Sequence, residues 1–167
     1  MGLRAKHLNI TPKVHPTAFI APGAQLVGAV TIGAGSSVWY NSVLRADINK
    51  ITVGRNVNIQ DGCLLHLEDD CGIKIEDNVT VGHGVILHAC TIKKGALIGM
   101  GAIVLNGAVI GKGAVVAAGA LVAPGTKVPK GVLVMGMPAK VVRKLKPAEI
   151  KKNLYWAKKY SELAREN

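Results

Sequence analysis

The sequence predicts an all-β solenoid, a parallel β-helix of hexapeptide repeats followed by a C-terminal α-helix. Three observations predict it. An aliphatic residue recurs every six positions at Ile92, Ile98, Val104, Ile110, Val116, Val122, Val128 and Val134. A glycine stands three positions after each of these up to Val128: Gly95, Gly101, Gly107, Gly113, Gly119, Gly125 and Gly131. A small residue follows most of those glycines, at Ala96, Ala102, Ala108, Ala114, Ala120 and Thr126. An amphipathic helix would repeat near 3.6 residues and a plain strand at 2. A period of six with its own glycine phase fits neither and matches stacked hexapeptide coils.

Each position has a physical role. The aliphatic residue fills a narrow prism. The small residue also points inward, near a corner where nothing large fits. The glycine forms the corner, where φ can be positive at no steric cost. Upstream the corner holds Gly23, Gly35, Asn41, Asn56, Gly62, Asn78 and Gly84, and asparagine also tolerates the left-handed region. The aliphatic register therefore extends back to Val14, Ile20, Leu26, Ile32, Val38 and Leu44, then Val53, Ile59 and Leu65, then Ile75, Val81 and Leu87. Three hexads to a coil give about seven coils.

Three breaks interrupt the count. Three residues are inserted between Leu44 and Val53, four between Leu65 and Ile75, and one is missing between Leu87 and Ile92.

In chain order, residues 1–13, with Arg4, Lys6 and His7, read as an arm leading into the β-helix. The β-helix domain, arm included, is expected over 1–140, with Gly136-Met137-Pro138-Ala139-Lys140 ending the repeat. Residues 141–167 are expected to supply a helix packed along the prism. It starts at Pro147, a favoured first-turn residue. Trp156, Tyr160 and Leu163 fall on one stripe, with Ile150, Leu154 and Ala157 beside it.

Glycine at 20 residues and aromatics at 4% suit a solenoid better than a globule. No signal-like or membrane-spanning apolar run is present, so the expected location is cytoplasmic, with no membrane partner. Three cysteines cannot all pair within one chain; Cys63 occupies an inward slot, and Cys71 and Cys90 read as free thiols. The net charge of +11 collects around Lys140, Arg143, Lys144, Lys146, Lys151, Lys152, Lys158 and Lys159. No nucleic-acid motif surrounds them, so no nucleic-acid partner is expected.

The candidate chemistry lies near the breaks. His66 and His88 each follow an inward aliphatic residue and should face outward. They are 22 residues apart, one coil plus the four inserted residues, so they stack. Strands in neighbouring coils lie about 4.8 Å apart, close enough for two imidazoles to share an ion. Arg45 belongs to the same column. His83 and Asp61, also 22 apart, form a second column on the preceding face, with Gln60 beside Asp61. Two columns on adjacent faces cannot easily converge within one chain. They can meet if one copy's first column faces another copy's second, a head-to-tail contact that closes into a ring. The reading is a homotrimer with His66, His83 and His88 meeting between subunits, and Arg45 of one chain near Asp61 of the next. Three imidazoles with an open fourth position are the donor set of catalytic zinc, which brings a bound water's pKa to around 7. His7 and His15 fall elsewhere and read as incidental.

At these residues the chain resembles the gamma class of carbonic anhydrases and their close homologues, left-handed β-helix trimers with a C-terminal helix. The likeness covers nearly the whole chain. It rests on Arg45-Ala46-Asp47, Asn58-Ile59-Gln60-Asp61, His66, and Val81-Gly82-His83-Gly84 with His88 five residues after His83. The resemblance implies zinc, with iron(II) or cobalt as other possible ions, held by His66 and His88 of one subunit and His83 of the next. It implies reversible hydration of CO2 to bicarbonate by a metal-bound hydroxide. Gln60 would orient the hydroxide and CO2, with Asn58 in the same network. Arg45, Asp47 and Asp61 would organise the interface and pocket, and Tyr160 resembles a tyrosine that reaches the pocket. The sequence departs from the best-known members in two places. Ile48 stands where they carry a glutamate, and the loop after His66 is only Leu67-Glu68-Asp69-Asp70-Cys71. Glu68, Asp69 or Asp70 would then have to carry the proton out, and turnover would be slowed. Two other functions stay open: acyl-CoA transfer or thioester hydrolysis, as in other hexapeptide proteins, and a non-catalytic metal-holding trimer.

Overall fold

The computed structural model describes residues 6–166, so Arg4 of the arm lies outside the described residues. Among them the chain builds nineteen strands and one helix. The strands stack as the register requires into a left-handed parallel β-helix of about seven turns. On the first face Leu26, Leu44, Leu65, Leu87, Val104 and Val122 align. On the second, Val14, Ile32, Val53, Ile75, Ile92, Ile110 and Val128 align. On the third, Ile20, Val38, Ile59, Val81, Ile98, Val116 and Val134 align. From Ile32 onward nearly all of these side chains are closed to solvent, and they form one continuous core. In the first coil Val14 is exposed and Ile20 and Leu26 are half-buried. No described strand stacks beneath that coil, so its prism is open on one side.

Every predicted corner has positive φ, with Asn41, Asn56 and Asn78 at 59°, 52° and 57°. One corner was not foreseen. In the short hexad Ala89 takes φ 45° and serves as the turn.

The insertions reshape the faces. Gln25–Ile32 and Val43–Val53 are single long strands that run from the first face onto the second and join both into one sheet. The three extra residues are absorbed within Val43–Val53, which puts Asp47 beyond the end of the first face. His7 packs there, with its backbone N–H donating to the Asp47 carbonyl and its Nδ1 2.9 Å from the Asn49 carbonyl. That histidine, read as incidental, ties the arm to the body.

At the far end the chain adds an element the period did not announce. Val132–Gly136 turns back as Ala139–Lys144, an antiparallel strand on the third face. The helix Pro147–Leu163 follows, with Pro147 in its first turn. Glu149 accepts from the Lys146 backbone N–H and from Arg143. The buried stripe matches the expected one only in part: Ala157 was expected, Asn153 and Ser161 were not. Asn153, Ala157 and Ser161 are buried, whereas Leu154 is exposed. The cause is the surface beneath: the helix lies along corners where glycines present bare backbone. Asn153 donates weakly to the carbonyls of Gly95 and Gly113, and Ser161 lies against Gly35. Small or hydrogen-bonding residues seat fully on such a ridge, while Ile150 and Leu154 touch its glycines Gly113, Gly131 and Gly95 with methyl groups.

The outward residues of the faces differ in chemistry. The second face shows Lys13, Thr31, Thr52, Lys74, Thr91, Val109 and Lys127. The first shows Val43, Leu64, Ile86, Ile103 and Leu121 in an unbroken aliphatic row. Leu64 and Ile86 are exposed.

Candidate metal centre

His66 and His88 end adjacent strands of the first face and pair directly, Leu64–His66 beside Ile86–His88. His66 Nδ1 lies 3.2 Å from His88 Nε2. The second nitrogen of each ring is occupied. His66 Nε2 is 3.1 Å from Asp47 Oδ1, and His88 Nδ1 is 2.8 Å from Asn106 Oδ1. Asp47 is buried, which works against its charge, but hydrogen bonds from Arg45 and His66 outweigh burial and keep its carboxyl below the usual range. An ionised Asp47 can only accept, so His66 Nε2 carries the proton. The Asn106 amide is oriented by Glu68, whose Oε1 accepts from Asn106 Nδ2 at 2.7 Å. Its oxygen therefore faces His88, and His88 Nδ1 carries the proton. The two nitrogens that face each other are left as bare lone pairs. Without something positive between them this contact is repulsive, and a cation is what two such donors accept.

His83 stands on the other edge of the first face, beside the Gly84 corner. Its Nδ1 is 2.8 Å from Asp61 Oδ2, so its Nε2 is also free. The His83 side chain is 46% exposed, open to an approaching partner. Among the described residues of a single chain, no group of three His, Cys, Asp or Glu is placed to hold one ion. The histidines divide as the columns imply, two on one edge and one on the other.

His83 opens onto a cleft of about 290 Å³ between the third face and the helix. Gln60, Thr80, Leu97, Met100, Trp156 and Tyr160 line it with His83. Gln60 is buried and its Nε2 donates to Asn58 Oδ1 at 3.1 Å, while Asn58 Nδ2 donates to Thr80 Oγ1 at 3.0 Å. Tyr160 meets Trp39 edge-on at 5.6 Å between ring centres. Burial, and then the nearby Asp61 charge, push its phenol up. The structure thus brings Asn58, Gln60, Asp61, His83 and Tyr160 together, and separately Arg45, Asp47, His66 and His88. Arg45 pairs with Asp47 of its own chain.

Sequence reasoning missed Asn106. The column carried one coil on from His88 leads to Leu105, because Leu87 pairs with Val104. The residue missing after Leu87 brings Asn106 to His88 instead, and the regular count carries no signal for it. It also left Glu68 as one of three acids in a turn. Glu68 instead engages Asn106, while Asp69 and Asp70 are exposed. The cysteines are all free, with Cys63 and Cys90 buried. Burial pushes the Cys63 thiol to about 11 and the Cys90 thiol to about 12, so both stay protonated.

Comparison with known proteins is consistent with this geometry. The family profile "Bacterial transferase hexapeptide (six repeats)" matches residues 89–124. A Methanocaldococcus jannaschii protein named "Probable carbonic anhydrase" is 54% identical over 145 residues, 87% of this chain and 91% of that protein. The chain belongs to the gamma carbonic anhydrase-like family of hexapeptide-repeat proteins. It is 45% identical over 160 residues to "Gamma carbonic anhydrase 2, mitochondrial" of Arabidopsis thaliana, covering 92% of this chain. It spans 58% of the length of that plant relative. Among solved structures, the BC4754 product of Bacillus cereus, described as a candidate acetyltransferase, superposes with a TM-score of 0.91. The two are 46% identical, over 92% of this chain and 90% of that one. No helix among the described residues is long and apolar enough to cross a membrane.

Proposed function

We propose that the protein is a carbonic anhydrase of the gamma type, a homotrimer that hydrates CO2 reversibly at metal sites shared between subunits. One observation carries this reading. Each of His66, His83 and His88 has one ring nitrogen held by an acceptor, Asp47, Asp61 and Asn106 respectively, and the other left as a lone pair. Ligating histidines are held in this way, their second nitrogen fixing ring orientation and raising basicity. The donor set suits zinc, with iron(II) or cobalt as other ions of similar preference. His66 and His88 come from one subunit and His83 from its neighbour. The bare aliphatic row of Val43, Leu64, Ile86, Ile103 and Leu121 runs between the two histidine edges, and we assign it to the subunit contact.

When bound, the cation would supply a water acidic enough to give hydroxide at neutral pH. The protein's own groups do the rest. Gln60, fixed by Asn58 and through it by Thr80, presents a polar group to the cleft beside His83. Leu97 and Met100 give that cleft apolar walls suited to CO2. Arg45 and Asp47 support His66, and Asp61 supports His83. Arg45 carries an exposed positive edge that would meet the neighbour's Asp61. Tyr160 closes the helix side. The hexapeptide profile shared with transferases covers 89–124 and includes none of the three histidines, so it reports the repeat and not the site.

The test is stopped-flow CO2 hydration on protein loaded anaerobically with zinc and, separately, iron(II), beside His83→Ala. Activity is expected in a loaded form and not in the variant. Full metal occupancy with no hydration in either form, or activity surviving in metal-free His83→Ala, would overturn the assignment.

A further inference from the structure

We propose that Asn106 and Glu68 are positioning residues for His88, and that the work of Glu68 is to lock the Asn106 amide. The inference rests on the reading of His88 as a ligand. An asparagine amide beside an imidazole can present oxygen or nitrogen. If it presents oxygen, Nδ1 of the ring must carry the proton and Nε2 is a lone pair. If it presents nitrogen, Nδ1 becomes the acceptor and the proton moves to Nε2, where it blocks an ion. Glu68 settles the choice, because its carboxylate accepts from Asn106 Nδ2 at 2.7 Å. The Asn106 oxygen is thereby aimed at His88 Nδ1 at 2.8 Å.

Both residues owe their places to breaks in the repeat. Leu87 pairs with Val104, and the Gly107 N–H donates to the Ala89 carbonyl. Between those two points the upper coil has one residue, His88, and the lower coil two, Leu105 and Asn106, so Asn106 has no counterpart above it. Glu68 belongs to the four-residue insertion after Leu65. Its backbone is held by Asn49 Nδ2, which donates to the Glu68 and Asp69 carbonyls, and by its own N–H to Cys71. An acid fixed at both backbone and side chain is built for holding and not for swinging between a site and solvent. The departure of this loop from the longer acidic form thus leaves Glu68 with a structural task.

The experiment has two readouts on full-length protein. The first is histidine 15N NMR of the metal-free form, with the His88 signals identified by their loss in His88→Gln. Wild type should show His88 protonated at Nδ1, and Asn106→Ala should return it toward the Nε2-protonated form that free imidazole side chains favour. The second is zinc affinity by chelator competition. Asn106→Ala and Glu68→Ala should each bind about 10- to 100-fold more weakly, the range for lost outer partners of a ligand. Glu68→Gln, which can still accept from Asn106, should stay within a few-fold of wild type. An Nε2-protonated His88 in wild type, or unchanged zinc affinity in both alanine variants, would overturn the proposal. If wild type takes up no zinc, the ligand reading fails, and the tautomer readout alone decides whether Asn106 positions the ring.

Discussion

Replacing Leu64 and Ile86 together with alanine should break the assembly and leave the subunit intact. Both side chains point away from the prism, on an aliphatic row that no described element covers. Leu64 is 50% exposed and Ile86 36% exposed. Burying such a side chain completely contributes roughly 1.5–3 kcal/mol. The parts still open in one chain therefore represent about 1 kcal/mol each. Alanine keeps a share of that surface, so the double variant should weaken each contact by about 1.5 kcal/mol, roughly tenfold in its association constant. A ring has three such contacts, and the effects multiply, so trimer formation should fall by about a thousandfold. Sedimentation velocity over a dilution series would show the wild type trimeric where the variant is monomeric. Far-ultraviolet circular dichroism and the melting of the isolated chain should barely change. An unshifted trimer would refute the assignment of this row to the interface. A monomer that no longer folds would show that the row supports the coil itself.

Two glycines on neighbouring coils should respond differently to alanine. Gly84 has φ +66° and open space where a Cβ would stand, so Gly84→Ala should cost only the left-handed backbone, roughly 1–2 kcal/mol. At Gly99 a Cβ would lie 2.5 Å from the Ala118 backbone nitrogen and 2.8 Å from the Ala117 carbonyl carbon. Gly99→Ala should force the coils apart at about 3 kcal/mol, and equal losses in urea melts would contradict this account. The hydrogen bonds from Arg143 and then from the Lys146 backbone N–H lower the Glu149 carboxyl from 4.5 to about 2. The link then favours the fold at any pH above 4.5 and fades as pH drops from there through about 2. The difference in melting temperature between wild type and Glu149→Gln should close over that acid window, and a difference that is constant with pH would remove Glu149 from the account.

The sequence carried the register because a prism admits only one kind of inward side chain, and each slip in the count is visible against seven regular hexads. It therefore placed His66 over His88 and Asp61 beside His83 without coordinates. What it did not carry was anything set by side-chain reach. Asp47 was assigned on resemblance, and only the path of Val43–Val53 shows it on His66 Nε2. Asn106 sits in an ordinary hexad and acquires its task from a missing residue one coil away. The helix was legible from Pro147 onward, and so was buried Ala157, but Asn153 and Ser161 were not. Apolar periodicity finds the side facing a greasy surface, and here the surface is a ridge of glycine corners whose bare backbone also takes a hydrogen-bonding Asn153 and a small Ser161. The strand Ala139–Lys144 was hidden because, once the period ends, antiparallel return leaves no six-residue mark.

The course of that helix has a bearing on how the molecule unfolds. A solenoid held only by neighbour-to-neighbour contacts behaves as a one-dimensional chain and can fray coil by coil from either end. Here Ile150 rests against Gly113 and Gly131 near the last coils, and Ser161 reaches Gly35 near the first. The helix acts as a splint that ties the two ends of the stack to each other. The first coils cannot peel away without releasing a contact made by residues from the opposite end of the sequence, and the last coils cannot without loosening the same helix. Local fraying is thereby converted into a single concerted transition, and the cooperativity resides in seventeen residues that lie outside the repeat.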